Sequence, residues 1–399
     1  MSYTDSDSLG TILLSKTILL DGTLKLDSKA VTGVSISEWG LLQKGGHDYY
    51  YFPMGSSLFA LPIVATLYYL GVDVLAHDHE LQVVMAAICG VSIFLLMSRI
   101  ARFFLTPTQG AFVALLFWVS TSLSSSLATA YWSHDVAVLF GLLAIYGGFN
   151  PRIQRHSWFF IGLAMFLAYL SRPTLALLSP CLLGFMVGRN LRWGISAALT
   201  LAFFLLCFVL FSEMEWQQPL PDYYLPSRLE SGEFWVALLG NLISPGRGII
   251  PFSLMLFVLP IFSVRRSNTI RGYRGWWAVA VLWPMLHWVI ISKFPHWYGG
   301  HCYGPRLMVD VLPALFIVFL FYWPQRVPNF WRSSVLIAVA LFSIWVNAYQ
   351  GLRNPETRIW NIRPNIASHP EHLFDWTYPQ FLANKSENIK RAIAYKGVN

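Results

Sequence analysis

Residues 293–310 read KFPHWYGGHCYGPRLMVD and lie between two long apolar runs. Glycines allow the backbone to bend sharply and to approach a ligand closely. His296, His301, Tyr303 and Arg306 add hydrogen-bond donors and positive charge to the same short stretch. A simple connector between two apolar runs needs none of this chemistry, so the stretch predicts a binding loop.

A structural alternative for this loop is a belt of aromatic residues at a membrane interface, which Trp297, Tyr298 and Tyr303 would suit. That alternative accounts for the aromatic rings. It does not account for three glycines beside Arg306, so we favour the binding loop.

The composition indicates a membrane protein. Of 399 residues, 55% are hydrophobic and only 12% are charged, and the mean hydropathy is +0.51, well above the soluble range. The net charge of +8 comes from short basic clusters between apolar runs, which is typical of cytoplasmic loops. We expect membrane lipids as neighbours and no nucleic-acid partner.

The cysteines and acids indicate no cofactor. Cys89, Cys181 and Cys207 lie within apolar runs and Cys302 stands alone, so no disulfide framework or metal-ligand spacing emerges. The acids are too few and scattered to indicate a divalent cation. Residues 1–8 lack the basic and apolar regions of a signal peptide, and we expect none.

The apolar runs predict an all-α, polytopic transmembrane protein with about ten to eleven spans. These runs are 81–104, 109–131, 136–149, 158–170, 174–187, 193–211, 248–264, 276–291, 307–323 and 331–349. We therefore divide the chain into an N-terminal acidic segment with amphipathic or interfacial helices (1–79), a transmembrane helical domain (80–349) and a C-terminal tail (350–399). The shorter runs around Arg172 predict a broken pair of helices.

Arginines in alternate loops set the orientation, because cytoplasmic loops are enriched in positive charge. The arginines concerned are Arg99, Arg102, Arg152, Arg155, Arg189, Arg192, Arg265, Arg266, Arg271, Arg274, Arg326 and Arg332. Loops 132–135, 171–173, 213–247 and 293–306 and the tail then share the outer face. Segment 52–75, with Pro53 and Pro62, could span the membrane or lie in the interface.

Two acids near the N-terminus are candidates for chemistry. Asp5 and Asp7 precede residues 9–20, whose apolar spacing predicts a short amphipathic helix on a membrane face. Helix capping by Asp7 or Ser8 is the structural alternative, and the residues alone favour capping.

Two other polar groups interrupt apolar runs on the outer face. His134 and Asp135 stand at a helix junction where Ser133 or Asp135 could cap the helix, which leaves His134 available for a ligand. Arg172 precedes Pro173 at a helix break. An arginine there pairs with an acid from another helix or with an anionic ligand, and the sequence leaves both open.

Two arginines are set among glycines and prolines. Arg247 lies in S-P-G-R-G (244–248), and Arg306 lies in Y-G-P-R (303–306). Backbone amides and a guanidinium placed in this way can approach a phosphate. Arginines that extend to lipid head groups are the structural alternative. Such arginines need no adjacent glycines, so the pattern favours a site for a phosphorylated lipid.

Seven motifs together resemble bacterial membrane glycosyltransferases of the GT-C superfamily, which are related to protein mannosyltransferases and lipid A aminoarabinose transferases. The motifs are the acidic D-S segment, Y-F-P-M-G (51–55), W-S-H (132–134), S-R-P (171–173), S-P-G-R-G (244–248), W-Y-G-G-H-C-Y-G-P-R (297–306) and D-W-T-Y-P-Q-F (375–381). S-P-G-R-G followed by Y-G-P-R is the most specific pair.

The resemblance implies transfer of a sugar from a polyprenyl-phosphate carrier to a sugar, lipid or protein acceptor on the outer face of a bacterial cytoplasmic membrane. It gives Asp7, with Asp5 as the near alternative, the role of general base or acceptor-binding acid. It gives substrate binding to Arg306, Arg247, Arg172, His134, His296, His301 and Tyr303. A transporter or flippase of a lipid-linked substrate, or a non-catalytic membrane subunit, are the alternatives.

Members of that superfamily carry a transmembrane helix before the acidic segment, and this sequence starts within that segment. Two explanations are open: the given sequence starts after the true start of the protein, or the protein lacks that helix. We favour an N-terminus on the outer face, with 52–75 in the interface. The tail (350–399) is either a small cap over the outer face or a partly ordered end, and the sequence does not choose between them.

Overall fold

The computed structural model describes residues 7–27, 40–127, 129–150, 157–230, 233–262, 274–324 and 329–396. The first elements are α1 (Gly10–Asp21), β1 (Leu41–Lys44), β2 (His47–Tyr50), α2 (Gly55–Tyr69), α3 (Asp78–Ala101), α4 (Pro107–Val119), α5 (Ser122–Ser126), α6 (Ser133–Phe149), α7 (Trp158–Ser171), α8 (Leu178–Arg189) and α9 (Leu191–Trp216). The later helices are α10 (Phe234–Ile243), α11 (Ile249–Phe252), α12 (Leu254–Phe262), α13 (Arg274–Trp277), α14 (Trp283–Ile291), α15 (Leu312–Tyr322), α16 (Phe330–Ile344), α17 (Gly351–Arg353), α18 (Glu356–Ile359) and α19 (Lys385–Lys396).

Short 3₁₀ and π segments join these helices. The 3₁₀ segments are Pro173–Leu177, Asp222–Tyr224, Pro226–Leu229, Arg306–Val311, Pro370–Phe374 and Gln380–Leu382, and the π segments are Ala278–Leu282 and Trp345–Gln350. About 72% of the described residues are helical, which agrees with the predicted helical class. The hairpin β1–β2, which turns at Gly45 and Gly46, was not predicted.

Three helices in the described part of the chain are long and apolar enough to cross a membrane. They are α3 with 24 residues, α9 with 26 residues, and the continuous helix Phe330–Arg353 with 24 residues. At 1.5 Å per residue, each exceeds the roughly 30 Å of a hydrocarbon core. Shorter apolar helices of 10–17 residues include α2, α4, α6, α7 and α10, and run 248–264 forms the still shorter α11 and α12. The helical membrane class therefore agrees with the sequence, and the count of ten spans stays a prediction.

The chain divides into two compact units, each built from two separate stretches of sequence. The first unit comprises Ser2–Ile93 and Leu127–Arg228. The second comprises Phe94–Ser126 and Leu229–Asn399, together with Met1. The tail belongs to the same unit as residues 229–349, and the N-terminal segment belongs with residues 127–228. The predicted division into three consecutive segments stays a prediction.

In the first unit, α1 is not the amphipathic surface helix that we predicted. Most side chains of its first two turns are buried, including polar Thr11 and Ser15. The Ser15 hydroxyl donates to the Ser57 carbonyl of α2 at 2.7 Å. The helix is therefore packed inside the unit, and its polar groups bond to the protein instead of facing a membrane surface.

Small residues allow close helix contacts in this unit. A Cβ added at Gly55, the first residue of α2, would lie 2.7 Å from the Ser171 backbone at the end of α7. A Cβ added at Gly162 of α7 would lie 2.6 Å from the Ala197 carbonyl of α9. Close approach through small residues is a common way for apolar helices to pack. These contacts fix the end of α7, where Arg172 follows.

In the second unit, aromatic rings and one buried polar group join distant helices. Trp277 stacks on Phe321 of α15 with a centroid distance of 5.1 Å. The buried Asn347 side chain donates to the Phe252 carbonyl at 2.6 Å and its oxygen accepts from Ser125 of α5 at 3.2 Å. A buried amide in an apolar interior needs such partners, since an unbonded one costs about 1–3 kcal/mol.

The described part of the tail is ordered by packing. Trp360, Leu373 and Tyr378 form one buried cluster with Trp297 and Tyr298 of the glycine-rich loop. The Trp360 indole donates to the Tyr378 carbonyl at 3.0 Å. Of the two alternatives that the sequence left open, a packed cap fits residues 351–396. The side of the membrane on which it lies stays a prediction.

Candidate functional site

The first unit contains a pocket with largely aromatic walls. The pocket measures about 410 Å³, its open mouth included. Its lining is Leu14, Leu24, Leu42, Tyr49, Tyr50, Tyr51, Phe52, Met54, Trp216, Pro221, Asp222, Tyr223 and Tyr224. We call it the aromatic pocket. Apolar lining with a few polar groups is typical of ligand sites.

The hairpin β1–β2 and the segment after α9 supply most of the pocket walls. Tyr49 is buried and its ring lies 5.7 Å from that of Trp216. Its hydroxyl donates to the Glu215 carbonyl at 3.4 Å. Burial, followed by the nearby Glu215 carboxylate, raises the pKa of Tyr49 to about 12. At the rim, Lys44 and Asp222 form a half-exposed ion pair at 3.6 Å.

Asp7 lies beside this pocket through Tyr50. The Tyr50 hydroxyl donates a short hydrogen bond to the Asp7 carbonyl oxygen. Burial raises the pKa of Tyr50 strongly, and the Asp7 carboxylate raises it further because the negative charge lies close to the phenol. The cap position of α1 falls on Leu9, not on Asp7 or Ser8. Asp7 is thus half-buried next to a tyrosine that lines the pocket.

Arg172 reaches the same pocket from the break between α7 and the 3₁₀ segment Pro173–Leu177. Its backbone is extended, because a residue before proline disfavours helical angles. The side chain is buried, and Nη1 donates to the Tyr223 hydroxyl at 3.3 Å. The predicted helix break is confirmed, and a tyrosine of the aromatic pocket is one of the partners of this arginine.

The sequence reasoning missed Tyr223 and Arg228. The Arg228 guanidinium lies 3.8 Å from the centroid of the Tyr223 ring and 5.5 Å from that of Tyr51. Its Nη1 also donates to the Tyr223 carbonyl at 3.0 Å. An available signal was the run P-D-Y-Y-L-P-S-R (221–228), in which two prolines bracket paired tyrosines and an arginine.

His134 and Asp135 occupy the first turn of α6, and both are buried. The Asp135 carboxylate accepts from the Trp132 backbone N–H at 3.0 Å. This contact fits the helix-start role that was the structural alternative for Asp135. His134 lies in the first unit with Asp7 and Arg172.

Arg247 is fully enclosed in the second unit, and a guanidinium has five N–H donors. Nε donates to Tyr298 O at 2.7 Å, Nη1 to Gly246 O and Gln380 Oε1 at 2.7 Å each, and Nη2 to Gly300 O at 3.0 Å and Asn361 Oδ1 at 2.7 Å. Every donor has a protein partner. This side chain holds the loop and tail together, and the binding of a substrate phosphate by Arg247 stays a prediction.

Tyr303 is also structural. It is buried, its hydroxyl donates to the Val346 carbonyl at 2.6 Å, and its ring meets Phe252 edge-on at 5.2 Å. The hydroxyl bonds inside the unit, and the substrate contact of Tyr303 stays a prediction. Gly299, Gly300 and Gly304 have φ of 71°, 71° and 64°, which confirms that this loop needs glycines for its bends.

The remaining residues of the loop differ in exposure. His296 and His301 are exposed. His296 Nδ1 lies 3.3 Å from the Tyr298 hydroxyl, and His301 Nε2 lies 3.0 Å from Asn365 Oδ1. Arg306 is half-buried and begins the 3₁₀ segment Arg306–Val311. The binding role of these three stays a prediction.

The predicted site residues thus fall in both units. Asp7, His134 and Arg172 lie in the first unit, and Arg247, Arg306, His296, His301 and Tyr303 lie in the second. Asp5 lies outside the described residues. Within the described ranges, no group of three or more His, Cys, Asp or Glu side chains could hold a metal ion.

Comparison of the chain with protein-family models, with curated proteins and with solved structures finds no match. The resemblance to the GT-C superfamily rests on the sequence motifs alone.

Proposed function

We propose that the protein is a membrane glycosyltransferase that moves a sugar from a polyprenyl-phosphate carrier to an acceptor on the non-cytoplasmic face. One observation carries the proposal. Asp7 and Arg172, which the motifs associate with proton transfer and phosphate binding, lie 165 positions apart in the sequence yet each contacts a tyrosine of the aromatic pocket, Tyr50 and Tyr223 respectively.

The chemistry needs these two kinds of group. The acceptor hydroxyl gives its proton to a carboxylate while its oxygen forms a bond to the anomeric carbon. The bond from that carbon to the phosphate oxygen breaks, and the electron pair leaves with the phosphate. Asp7 is the proposed base. Arg172 is the proposed cation that stabilises the departing phosphate, an electrostatic effect typically worth 10²–10³ in rate per donor.

A single displacement of this kind inverts the anomeric configuration, as in inverting glycosidases. His134, in the same unit as Asp7 and Arg172, is proposed to support this site. The substrate-binding role that the resemblance implies for Arg306, His296 and His301, which belong to the other unit, stays a prediction. The proposal leaves out Arg247 and Tyr303, because their polar atoms bond within the second unit. It includes no metal or other cofactor, and the lipid-linked sugar is the only donor.

The test is sugar transfer in proteoliposomes that contain the full chain and a polyprenyl-phosphate sugar. Asp7→Asn is expected to abolish formation of the glycosylated product while expression and elution volume stay as in the wild type. Asp21→Asn is the matched control, because Asp21 is an exposed acid at the other end of the same helix. Asp5→Asn tests the neighbouring acid.

Unchanged transfer in both Asp7→Asn and Asp5→Asn would remove these acids from the mechanism. Movement of the lipid-linked sugar across the bilayer without its consumption would favour the transporter alternative. Absence of both transfer and movement would favour a non-catalytic subunit.

A further inference from the structure

Two positively charged side chains converge on Tyr223 from different parts of the first unit. Arg172 donates to its hydroxyl at 3.3 Å. Arg228 lies over its ring at 3.8 Å from the centroid. Tyr223 also lines the aromatic pocket. Both guanidinium groups are therefore held against the same pocket-lining tyrosine, although 56 positions separate them in the sequence.

The local sequence fixes this arrangement. Pro221 and Pro226 bracket the short 3₁₀ segment Asp222–Tyr224, and proline pre-sets the backbone for such turns. Tyr224 anchors the segment, because its buried hydroxyl donates to the Leu170 carbonyl at 2.5 Å. That carbonyl lies two residues before Arg172. The two arginines are thus positioned by one turn and one helix end.

The geometry of Arg228 suits recognition of a phosphate. Stacking on an aromatic ring uses the flat face of the guanidinium, whereas phosphate oxygens bond to N–H groups in the plane of its edge. The hydrogen bond from Nη1 of Arg228 to the Tyr223 carbonyl, at 3.0 Å, fixes how the guanidinium plane is rotated over the Tyr223 ring. An oriented, planar cation loses less entropy on binding than a mobile lysine does.

The rest of the pocket separates polar from apolar contacts. Leu14, Leu24 and Met54 contribute apolar lining. Lys44 and Asp222 pair with each other at the rim, so their charges largely offset one another. The two arginines do not line the pocket themselves, but both contact Tyr223, which does, and their charges favour an anion beside this tyrosine.

We propose that Arg172, Arg228 and Tyr223 form a phosphate subsite at the wall of the aromatic pocket, and that Arg228 is a binding residue for the phosphate of the polyprenyl donor. The identity of the donor rests on the proposed function. The phosphate chemistry rests on the two guanidinium groups and their shared tyrosine.

The direct test is binding of polyprenyl phosphate without a sugar to the purified full chain in detergent, measured by thermophoresis. Arg228→Ala is expected to weaken this binding by roughly ten- to a hundredfold, the size of one lost hydrogen-bonded charge. Affinity for the uncharged polyprenol is expected to stay unchanged. Arg192→Ala is the matched control, since Arg192 is an exposed arginine of the same unit in the first turn of α9.

Two further arms identify the source of the phosphate. Inorganic phosphate and phosphatidylglycerol are added as competitors, and both are expected to displace polyprenyl phosphate only in large excess. Displacement by phosphatidylglycerol at equal concentration would overturn the carrier assignment. Arg228→Lys, which keeps the charge without a planar guanidinium, covers the case in which Arg228→Ala does not fold, and it too is expected to bind more weakly than the wild type.

Wild-type affinity in both Arg228→Ala and Arg228→Lys overturns the subsite, as does an equal loss for polyprenol. The transfer assay keeps the two proposals apart. Transfer by the wild type with no effect of Arg228 on binding rejects the subsite alone. Binding of polyprenyl phosphate that depends on Arg228, without any sugar transfer, rejects the glycosyltransferase alone.

Discussion

Arg172 and Arg247 look alike in the sequence, and the structure places them in different kinds of environment. Each is a single arginine beside turn-forming residues at the end of an apolar run. Arg247 donates all five N–H groups to the loop, the tail and its own turn. Arg172 donates to the hydroxyl of Tyr223, a residue that lines the aromatic pocket.

The difference shows that glycine beside an arginine does not by itself indicate a ligand site. In the second unit, Gly246 and Gly300 place their own carbonyl oxygens against the guanidinium. The glycines thus admit protein backbone where the sequence suggested a ligand. In the first unit, a proline breaks the helix after Arg172 and a tyrosine supplies the contact. We therefore expect Arg247 to determine stability and Arg172 to determine activity.

The largest expected effect follows from Arg247→Gln. This change removes most of the five hydrogen bonds that the buried guanidinium donates, and a hydrogen bond to a charged group contributes about 1.5–3 kcal/mol. We expect a loss of at least about 4 kcal/mol in the free energy of unfolding. Thermal unfolding in detergent measures it, with Arg192→Gln as the exposed control. A loss in the free energy of unfolding smaller than the contribution of one hydrogen bond would contradict the structural role of Arg247.

The same substitution at Arg172 completes the comparison. Arg172→Gln removes the hydrogen bond to the Tyr223 hydroxyl together with the other contacts of this buried side chain, and we expect a smaller loss in the free energy of unfolding than for Arg247→Gln. Sugar transfer in proteoliposomes is expected to fall about a hundredfold. If this variant destabilises the protein as much as Arg247→Gln does, the proposed contrast between the two arginines is wrong.

A smaller difference in stability is expected between alanine variants at two glycines of the loop. Gly300 and Gly304 both have positive φ, so alanine at either position costs roughly 1 kcal/mol of backbone strain. A Cβ at Gly304 would also lie 2.8 Å from the Phe252 ring, whereas nothing lies within 4 Å at Gly300. Gly304→Ala is therefore expected to be about 1–3 kcal/mol more destabilising than Gly300→Ala. Equal unfolding temperatures would exclude the close packing against Phe252.

The smallest expected effect is a dependence of the stability of the tail on pH. Arg391 of α19 donates to His372 Nδ1 at 3.0 Å and to Asp375 at 2.6 Å. Burial and then the Arg391 charge lower the pKa of His372 from 6.5. Glu371 and Asp375 oppose this shift, and His369 adds to it.

A lowered histidine pKa means that the unfolded tail binds more protons, so stability falls as the pH drops below 6.5. Partial burial raises the pKa of Asp375, but bonds from Thr377 and Arg391 outweigh it and hold the pKa at about 2. The stabilising effect of Asp375 is therefore lost only below pH 3.8. Between pH 7 and pH 5, proteolysis of the tail is expected to accelerate, and His372→Asn is expected to remove that acceleration. An unchanged pH profile in His372→Asn would refute the assignment to His372.

The features that could be predicted from the sequence are those that depend only on residues close together in the chain. The helical class, the break before Pro173 and the glycine turns at 299, 300 and 304 are all local consequences of composition and backbone sterics. The roles of the arginines are not local. Two of the partners of Arg247 lie 114 and 133 positions away, and the site of Arg228 depends on the orientation of a ring. No pattern of spacing contains that information.

The bond between Ser125 and Asn347 joins residues separated by 222 positions within the second unit. At typical synthesis rates of 5–20 residues per second, α5 leaves the ribosome roughly 10–45 s before its partner. Residues 127–228, which complete the first unit, are synthesised in that interval. Ser125 of α5 therefore acquires this partner only after residues 127–228 have been made, so the second unit is completed later than the first.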